Sequence, residues 1–384
     1  MANENIGRLN CNKDGFKVKD GVLLEYEWDN SWPEIPEGVV AIAEDAFYGK
    51  WLEHVTIPDG VVSIGKNAFK ACPRLSTVTL PDTVTEIGEG AFNSCESLVS
   101  INIPEGVTEI KDNTFSCCHT LEELIIPEGV VSIGENAIAT CLELKKLILP
   151  STLKVIGSRA FSMQKSIKSI EIPEGVDVIR EFVFWGNERL ETVTLPGSLT
   201  SIGKLAFYEC EKLRSIEIPD GVSKIGYGAF GQCCELETVK LPKKLDTLER
   251  CTFEGCTALA EIEIPDGVSA IECDVFKGCI GLKSIVVPSS VKEIGDGAFS
   301  GCRSLVNAFV PESVVSMGER VFADCVSLEH ITMAATLTPK LALFEGCLNL
   351  RGITTRAFYN KFLEKTLRKN CDPSLKKKLV FHWD

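Results

Sequence analysis

Long hydrophobic runs are missing from this sequence. No stretch reaches the roughly 18 consecutive apolar residues of a membrane-crossing helix, so a helical span is excluded. The first residues, Met1 to Arg8, carry no apolar stretch behind a basic one, and no secretory leader is seen. With Met1 as the native start the chain is expected in the cytoplasm. A leader lost from a longer form would instead place it at the cell surface or outside the cell. Histidine is scarce and scattered (His54, His119, His330, His382), and no C-x-x-C pair occurs among the 17 cysteines, which argues against zinc. A phosphate-cradling loop, a G-x-S-x-G elbow, an H-E-x-x-H pair and a dinucleotide fingerprint are also absent. No cofactor and no catalytic activity are expected.

The composition is that of a folded, soluble chain, with 45% hydrophobic and 24% charged residues over 384 positions. The net charge of −14 is uneven. Residues 351–384 carry nine Lys/Arg against three acids, so the body before them is strongly acidic. Nucleic-acid binding rests on neutralising phosphates, and an acidic body argues against it. The plain reading of the charge is a solubilising surface.

A repeat dominates what is present. Prolines stand at 36, 58, 81, 104, 127, 150, 173, 196, 219, 242, 265, 288 and 311; the first gap is 22 and every later one is 23. A period in this range decides the architecture before any local reading does. The unit is L-x-x-I-x-I-P-x-G-V-x-x-I-G-x-x-A-F-x-x-C-x-x, as in Leu213–Glu235. Leu-x-x-Ile-x-Ile reads as a short strand with alternating apolar positions. One strand per 23 residues stacks in parallel on its neighbours. The following proline lacks a donor and ends the ladder. The glycine two places later (Gly60, Gly106, Gly129, Gly175, Gly221, Gly267) suits a turn with positive φ. Val-x-x-Ile turns a second apolar edge inward. Phenylalanines from Phe47 to Phe344 recur in one column, with Ile138 as the gap, and predict a stacked spine. Each unit hides its apolar edge only against the next.

This unit resembles the BspA-type (Treponema-type) leucine-rich repeat over residues 35–350. It departs from the commoner L-x-x-L-x-L-x-x-N-x-L unit by its proline and by having no asparagine ladder. The resemblance implies an α/β-type repeat solenoid: a right-handed superhelix with a parallel concave sheet of short strands and little regular helix on the convex side. It also implies binding, with adhesion a common role. The expected function is therefore a non-catalytic protein-binding scaffold, adaptor or adhesin-like, acting on a protein partner; the oligomeric state is open, with a monomer favoured. The alternative is a cation- or glycan-binding cell-surface protein.

Both ends need caps. Phe16–Val18 and Val22–Tyr26 flank Lys19-Asp20-Gly21, a hairpin signal, and residues 1–35 are read as an N-terminal cap. The solenoid runs over 36–350 in about fourteen units. Ala334 then stands where proline is due, and residues 351–384 are read as a basic helical cap. Phe358, Tyr359, Phe362, Leu363 and Leu367 form an apolar helical stripe, and Asp372-Pro373 opens a second short helix. An alternative use of these helices is docking to an acidic partner or membrane surface.

Ten cysteines from Cys72 to Cys325 share one column, with Cys347 one residue early, and should stack as small buried hydrophobes. Cys11, Cys117, Cys234, Cys251, Cys273 and Cys371 lie off this column. So many free thiols lean mildly toward a reducing compartment. The residue after proline is acidic in nine of thirteen units, as in Glu37 and Asp59, which fits solvated turns or, less readily, calcium. On the strand face two steps are apolar without a core reason. Ile125 and Ile148 are adjacent, with Val99 nearby; Val286 and Phe309 are adjacent, with Val306 nearby. Such clusters are candidate partner-binding sites, with Phe309 foremost as a large exposed aromatic. A secondary candidate is the outer pair Trp185 and Tyr208, where Gln164 and Asn187 replace the ladder cysteine; local repacking is the preferred reading of that pair.

Overall fold

The structure, a computed structural model, describes residues 14–333, 340–355, 361–369, 371, 373, 375 and 379–383. The chain forms two compact units, Met1–Val176 and Asp177–Asp384. Both are built from the same coil, and each coil has three sides.

The first side is the expected strand. In the first unit His54–Thr56, Thr77–Thr79 and Ser100–Ile101 form one parallel ladder, and Glu123–Ile125 pairs with Lys146–Ile148. Partners differ by 23 residues (His54 with Thr77, Ile125 with Ile148), so the repeat period is also the pairing register. Buried and exposed residues alternate, which seats Val55, Val78 and Leu124 inside and leaves the residues between them facing solvent. In the second unit Ser284–Val286, Asn307–Phe309, His330–Met333, Gly352–Thr355 and Val380–Trp383 form the longest such ladder.

The second side, an inward apolar edge in the sequence pattern, is also a ladder. Two-residue strands at the Val-x-x-Ile positions pair in parallel, as in Glu109–Ile110, Ser132–Ile133 and Val155–Ile156. The Ile-Gly glycine that follows lets coils approach. A Cβ on Gly88 would lie 2.5 Å from the backbone of Gly65 and Lys66.

The third side carries the Phe column on turns. Alternate amides bond across coils: Asp45, Phe47 and Gly49 donate to the carbonyls of Lys66, Ala68 and Lys70 at 3.0, 2.8 and 2.9 Å. The intervening amides of Tyr48 and Lys50 close turns within their own coil on Asp45 and Phe47. This alternation needs two left-handed residues per coil, such as Asp45 (φ 56°) with Gly49 (71°) and Asn67 (52°) with Ala71 (57°). Asp and Asn tolerate that region best among residues with a Cβ. The glycine expected after proline is confirmed only in part. Gly60, Gly129 and Gly175 have positive φ, but Gly106, Gly221 and Gly267 do not. Gly221 serves close approach instead, because a Cβ there would sit 2.9 Å from the Leu199 oxygen.

The core is the Phe spine. Rings of Phe47, Phe69, Phe92 and Phe115 stack at 4.8, 5.3 and 5.7 Å, and those from Phe184 to Phe344 stack at 5.1 to 6.0 Å. Burying one such ring is worth about 1.5–3 kcal/mol before entropy is counted. The antiparallel hairpin Phe16–Lys19 and Val22–Tyr26 closes the first unit, with Tyr26 5.5 Å from Phe47. The ladder cysteines are buried as expected, but they are more than small apolar fillers. Each thiol donates to the carbonyl of the Phe one coil earlier, as Cys95 does to Phe69 (3.1 Å) and Cys279 to Phe253 (3.2 Å).

Two departures from regularity matter. Near the end of the chain the helix Lys361–Lys369 is the only one among the described residues, and Val380–Trp383 returns to the parallel ladder. Leu363 and Leu367 of the expected stripe are buried. Arg368 pairs with Glu364 at 2.9 Å and sits 4.8 Å from the Phe381 ring. Phe358, Tyr359, the Phe362 side chain, Ala334 and most of the helix expected after Asp372 lie outside the described residues. Within the second unit, Glu261–Ile264 occupies a strand position but pairs with neither neighbour. The short-strand pair Thr247–Leu248 with Ala270–Ile271 and the turn bond from Cys251 to Cys273 stay intact in the same coil.

Candidate binding surface on the strand face

Strand alternation presents two outward columns on the strand face. In the first unit one column runs His54, Thr77, Ser100, Glu123, Lys146 and the other Thr56, Thr79, Asn102, Ile125, Ile148. Ile125 and Ile148 are cross-strand partners, 50% and 42% exposed. Beside them Glu123 and Lys146 form an ion pair at 2.5 Å, so the apolar step has a charged rim. Val99 is also exposed, and its carbonyl accepts the Glu122 amide of the next coil. Exposed ion pairs of this kind contribute under about 1 kcal/mol each, so the rim governs solubility and selectivity more than stability.

In the second unit Val286 and Phe309 are direct cross-strand partners, and Phe309 pairs onward with Thr332. Val286 is 65% exposed and Val306 is exposed. Phe309 is half-buried rather than exposed, a correction to the sequence expectation. It lines a groove of about 300 Å³ with Thr332, Glu312 and Ser289, so the ring is covered only in part. The structure thus brings each expected pair together. The two pairs lie in different compact units.

Trp185 and Tyr208 are both half-buried. Trp185 meets Phe182 edge-on at 6.1 Å, and the Tyr208 ring lies over Gly231, where a Cβ would come within 2.8 Å. This is the packing of a large ring into space a glycine leaves. The Lys204 ammonium lies 5.8 Å from Phe182 and 5.7 Å from Tyr227, an aromatic–cation arrangement on the turn side. Gln164 takes over the work of the missing thiol, its Nε2 donating to the Ile138 carbonyl.

Burial pushes the ladder thiols up, to about 12 for Cys72, Cys141 and Cys279. They are therefore poor nucleophiles and poor metal ligands. No group of three or more His, Cys, Asp or Glu side chains that could hold a metal ion occurs among the described residues. No helix among the described residues is long and apolar enough to cross a membrane.

Several exposed aromatic residues near the N-terminal cap fall outside the repeat columns. Trp28, Trp32, Tyr48 and Trp51 are all exposed, and Arg74 stacks on Trp51 at 4.8 Å. Their signal was available: three of the five tryptophans fall within residues 28–51, outside the columns that demand apolar residues. Exposed valines on the second side, such as Val40 and Val62, also went unread.

Residues 29–145, 131–260 and 247–372 match the family described as BspA type leucine rich repeat region. A leucine-rich repeat protein from Bacteroides ovatus is similar at 29% identity and a TM-score of 0.73, over 96% of this chain and 97% of that one. A leucine rich cell surface protein from Faecalibacterium prausnitzii is 31% identical with a TM-score of 0.54, over 75% of this chain and 89% of that one. A leucine-rich repeat protein from Eubacterium ventriosum shares the fold at 22% identity and a TM-score of 0.50, over 79% and 90%. Comparison with curated proteins found no match.

Proposed function

The chain belongs to the BspA-type leucine-rich repeat family, and from that premise we propose that it is a non-catalytic scaffold whose strand face binds a protein partner. The observation that carries this reading is the step formed by Val286 and Phe309. A valine that is 65% exposed stands in register with a partly covered aromatic ring on the adjacent strand. Such an apolar step within a polar face is what a partner side chain desolvates at the centre of an interface. Val306 is exposed three residues before Phe309, and in the other unit Ile125 and Ile148 form a second step, with Val99 also exposed. The half-buried pair Trp185 and Tyr208 is assigned to packing.

We place the protein at the cell surface. The Faecalibacterium prausnitzii relative, described as a cell surface protein, supports this placement. The abundant thiols do not oppose it, since buried thiols held protonated resist an oxidising exterior.

The test is affinity capture from the organism's natural surroundings. Wild type is compared with Val286→Ser/Phe309→Ser and with Ile125→Ser/Ile148→Ser. Loss of a captured protein in either variant, with melting temperature unchanged, supports the reading. Equal capture by all three forms sinks it.

A further inference from the structure

We propose a second binding site, at the N-terminal end of the same strand face, for a neutral glycan chain. The first coil has no regular strand, yet it continues the face. Ser31 accepts the amides of Glu53 and His54 at 2.9 and 3.2 Å, and Glu34 bridges in parallel to Thr56. Trp32 therefore stands in the column of His54, and Glu34 in the column of Thr56. A groove of about 570 Å³ opens there, lined by Trp32, Glu34, Glu37, His54 and Thr56.

The chemistry of this groove is that of a sugar site. Trp32 is 62% exposed and tilts against the His54 ring at 5.3 Å, leaving much of the indole open as a platform. A pyranose has one apolar face of C–H bonds and a rim of hydroxyls, and an indole with polar groups at its edge matches both. His54 organises that edge. Its Nδ1 lies 2.5 Å from the Thr77 hydroxyl and its Nε2 3.2 Å from the Thr56 hydroxyl. In a neutral imidazole one nitrogen donates and the other accepts. Whichever tautomer is present, one threonine keeps its proton to donate and the other keeps lone pairs to accept. A glycan hydroxyl rim requires both.

The carboxylates set the charge class. Glu34 and Glu37 are exposed acceptors for hydroxyl protons and repel sulfated or sialylated chains. A chain rather than a single sugar fits, because the polar columns continue at coil spacing through Thr77, Thr79, Ser100 and Asn102. The Val286–Phe309 step is different: it has no exposed tryptophan and no paired hydroxyls. The two sites therefore call for different ligand classes.

The experiment is native-gel affinity electrophoresis and calorimetric titration of the full chain. The probes are neutral polysaccharides and their hexasaccharides (xylan, β-glucan, mannan, starch, chitin oligomers), with heparin, choline and a lysine-rich peptide as comparators. The expected result is retention by at least one neutral glycan and none by heparin. Trp32→Ala should weaken that retention by about tenfold or more, the loss of one aromatic stacking contact. His54→Ala should weaken it too, and Val286→Ser/Phe309→Ser should leave it unchanged. Both single variants are checked by melting temperature. No retention by any neutral glycan, binding only of choline or the lysine-rich peptide, or full retention by Trp32→Ala would each overturn the proposal. None of these outcomes bears on the protein-binding step, whose variants are separate.

Discussion

The thiol of Cys233 donates to the carbonyl oxygen of Phe207, 3.1 Å away in the preceding coil. That oxygen also accepts the backbone amide of Cys210. One buried carbonyl thus has both lone pairs used, one by its own coil and one by the next. Cysteine supplies a donor in this column, and Gln164 supplies one by reaching the Ile138 carbonyl.

Replacing this group should show both terms. Cys233→Ala removes a hydrogen bond and leaves a small void, and should lower the unfolding free energy by about 1–3 kcal/mol. Cys233→Val restores volume without the donor and should remain below wild type. Urea titration monitored by circular dichroism measures both. A valine variant as stable as wild type would show that the thiol contributes only bulk.

Alkaline pH should unfold the protein. Burial holds the thiols of Cys72, Cys141 and Cys279 up to about 12, against an ordinary value near 9. The fold therefore favours the protonated form. Stability is fully present below about pH 9 and is lost as pH rises toward 12, because the unfolded chain releases these protons first. Each such thiol contributes a slope of about 1.4 kcal/mol per pH unit in that window. Far-ultraviolet circular dichroism from pH 8 to 12 should record the transition. Stability that stays flat through pH 11 would contradict the thiol ladder as described.

The second ladder should be intolerant of side chains at its glycines. A Cβ on Gly88 would meet the backbone of the preceding coil at 2.5 Å, and backbone cannot swing aside. Gly88→Ala should cost more than about 2 kcal/mol. Gly38→Ala, where φ is +83° but nothing lies within 4 Å, should cost only the local backbone strain of about 1–2 kcal/mol. Thermal unfolding of the two variants ranks them. The reverse order would mean that coil spacing is looser than the short-strand pairing implies.

The coil was legible because one constraint repeats: the proline grid, the Ile-x-Ile alternation and the Phe column each recur at 23 residues and reappear as pairing register and ring stacking. The short-strand ladder was less visible. Two residues are too few for alternation to declare a strand, and the glycine of Ile-Gly reads as a turn unless the neighbouring coil is in place. The left-handed positions were signalled by Asp45, Asn67, Asn113 and Asn136, though Phe182 and Leu205 take the same conformation without any local cue. Of the candidate surface, the pairing of Ile125 with Ile148 and of Val286 with Phe309 followed from the period. The half-burial of Phe309 did not, since it depends on the groove shared with the turn after it. Trp32 escaped because its coil lacks the Leu-x-x-Ile pattern, and its place beside His54 exists only once the coils are stacked.

A stacked array holds together through its nearest-neighbour interfaces, and its behaviour under load follows the weakest of them. At Glu261–Ile264 the strand ladder is interrupted on both sides, with the Ala260 carbonyl just before it still accepting the Lys283 amide, while the short-strand and turn sides remain fastened. In the second unit, load across the strand face therefore meets an interrupted ladder at this coil and is carried there by the short-strand and turn sides.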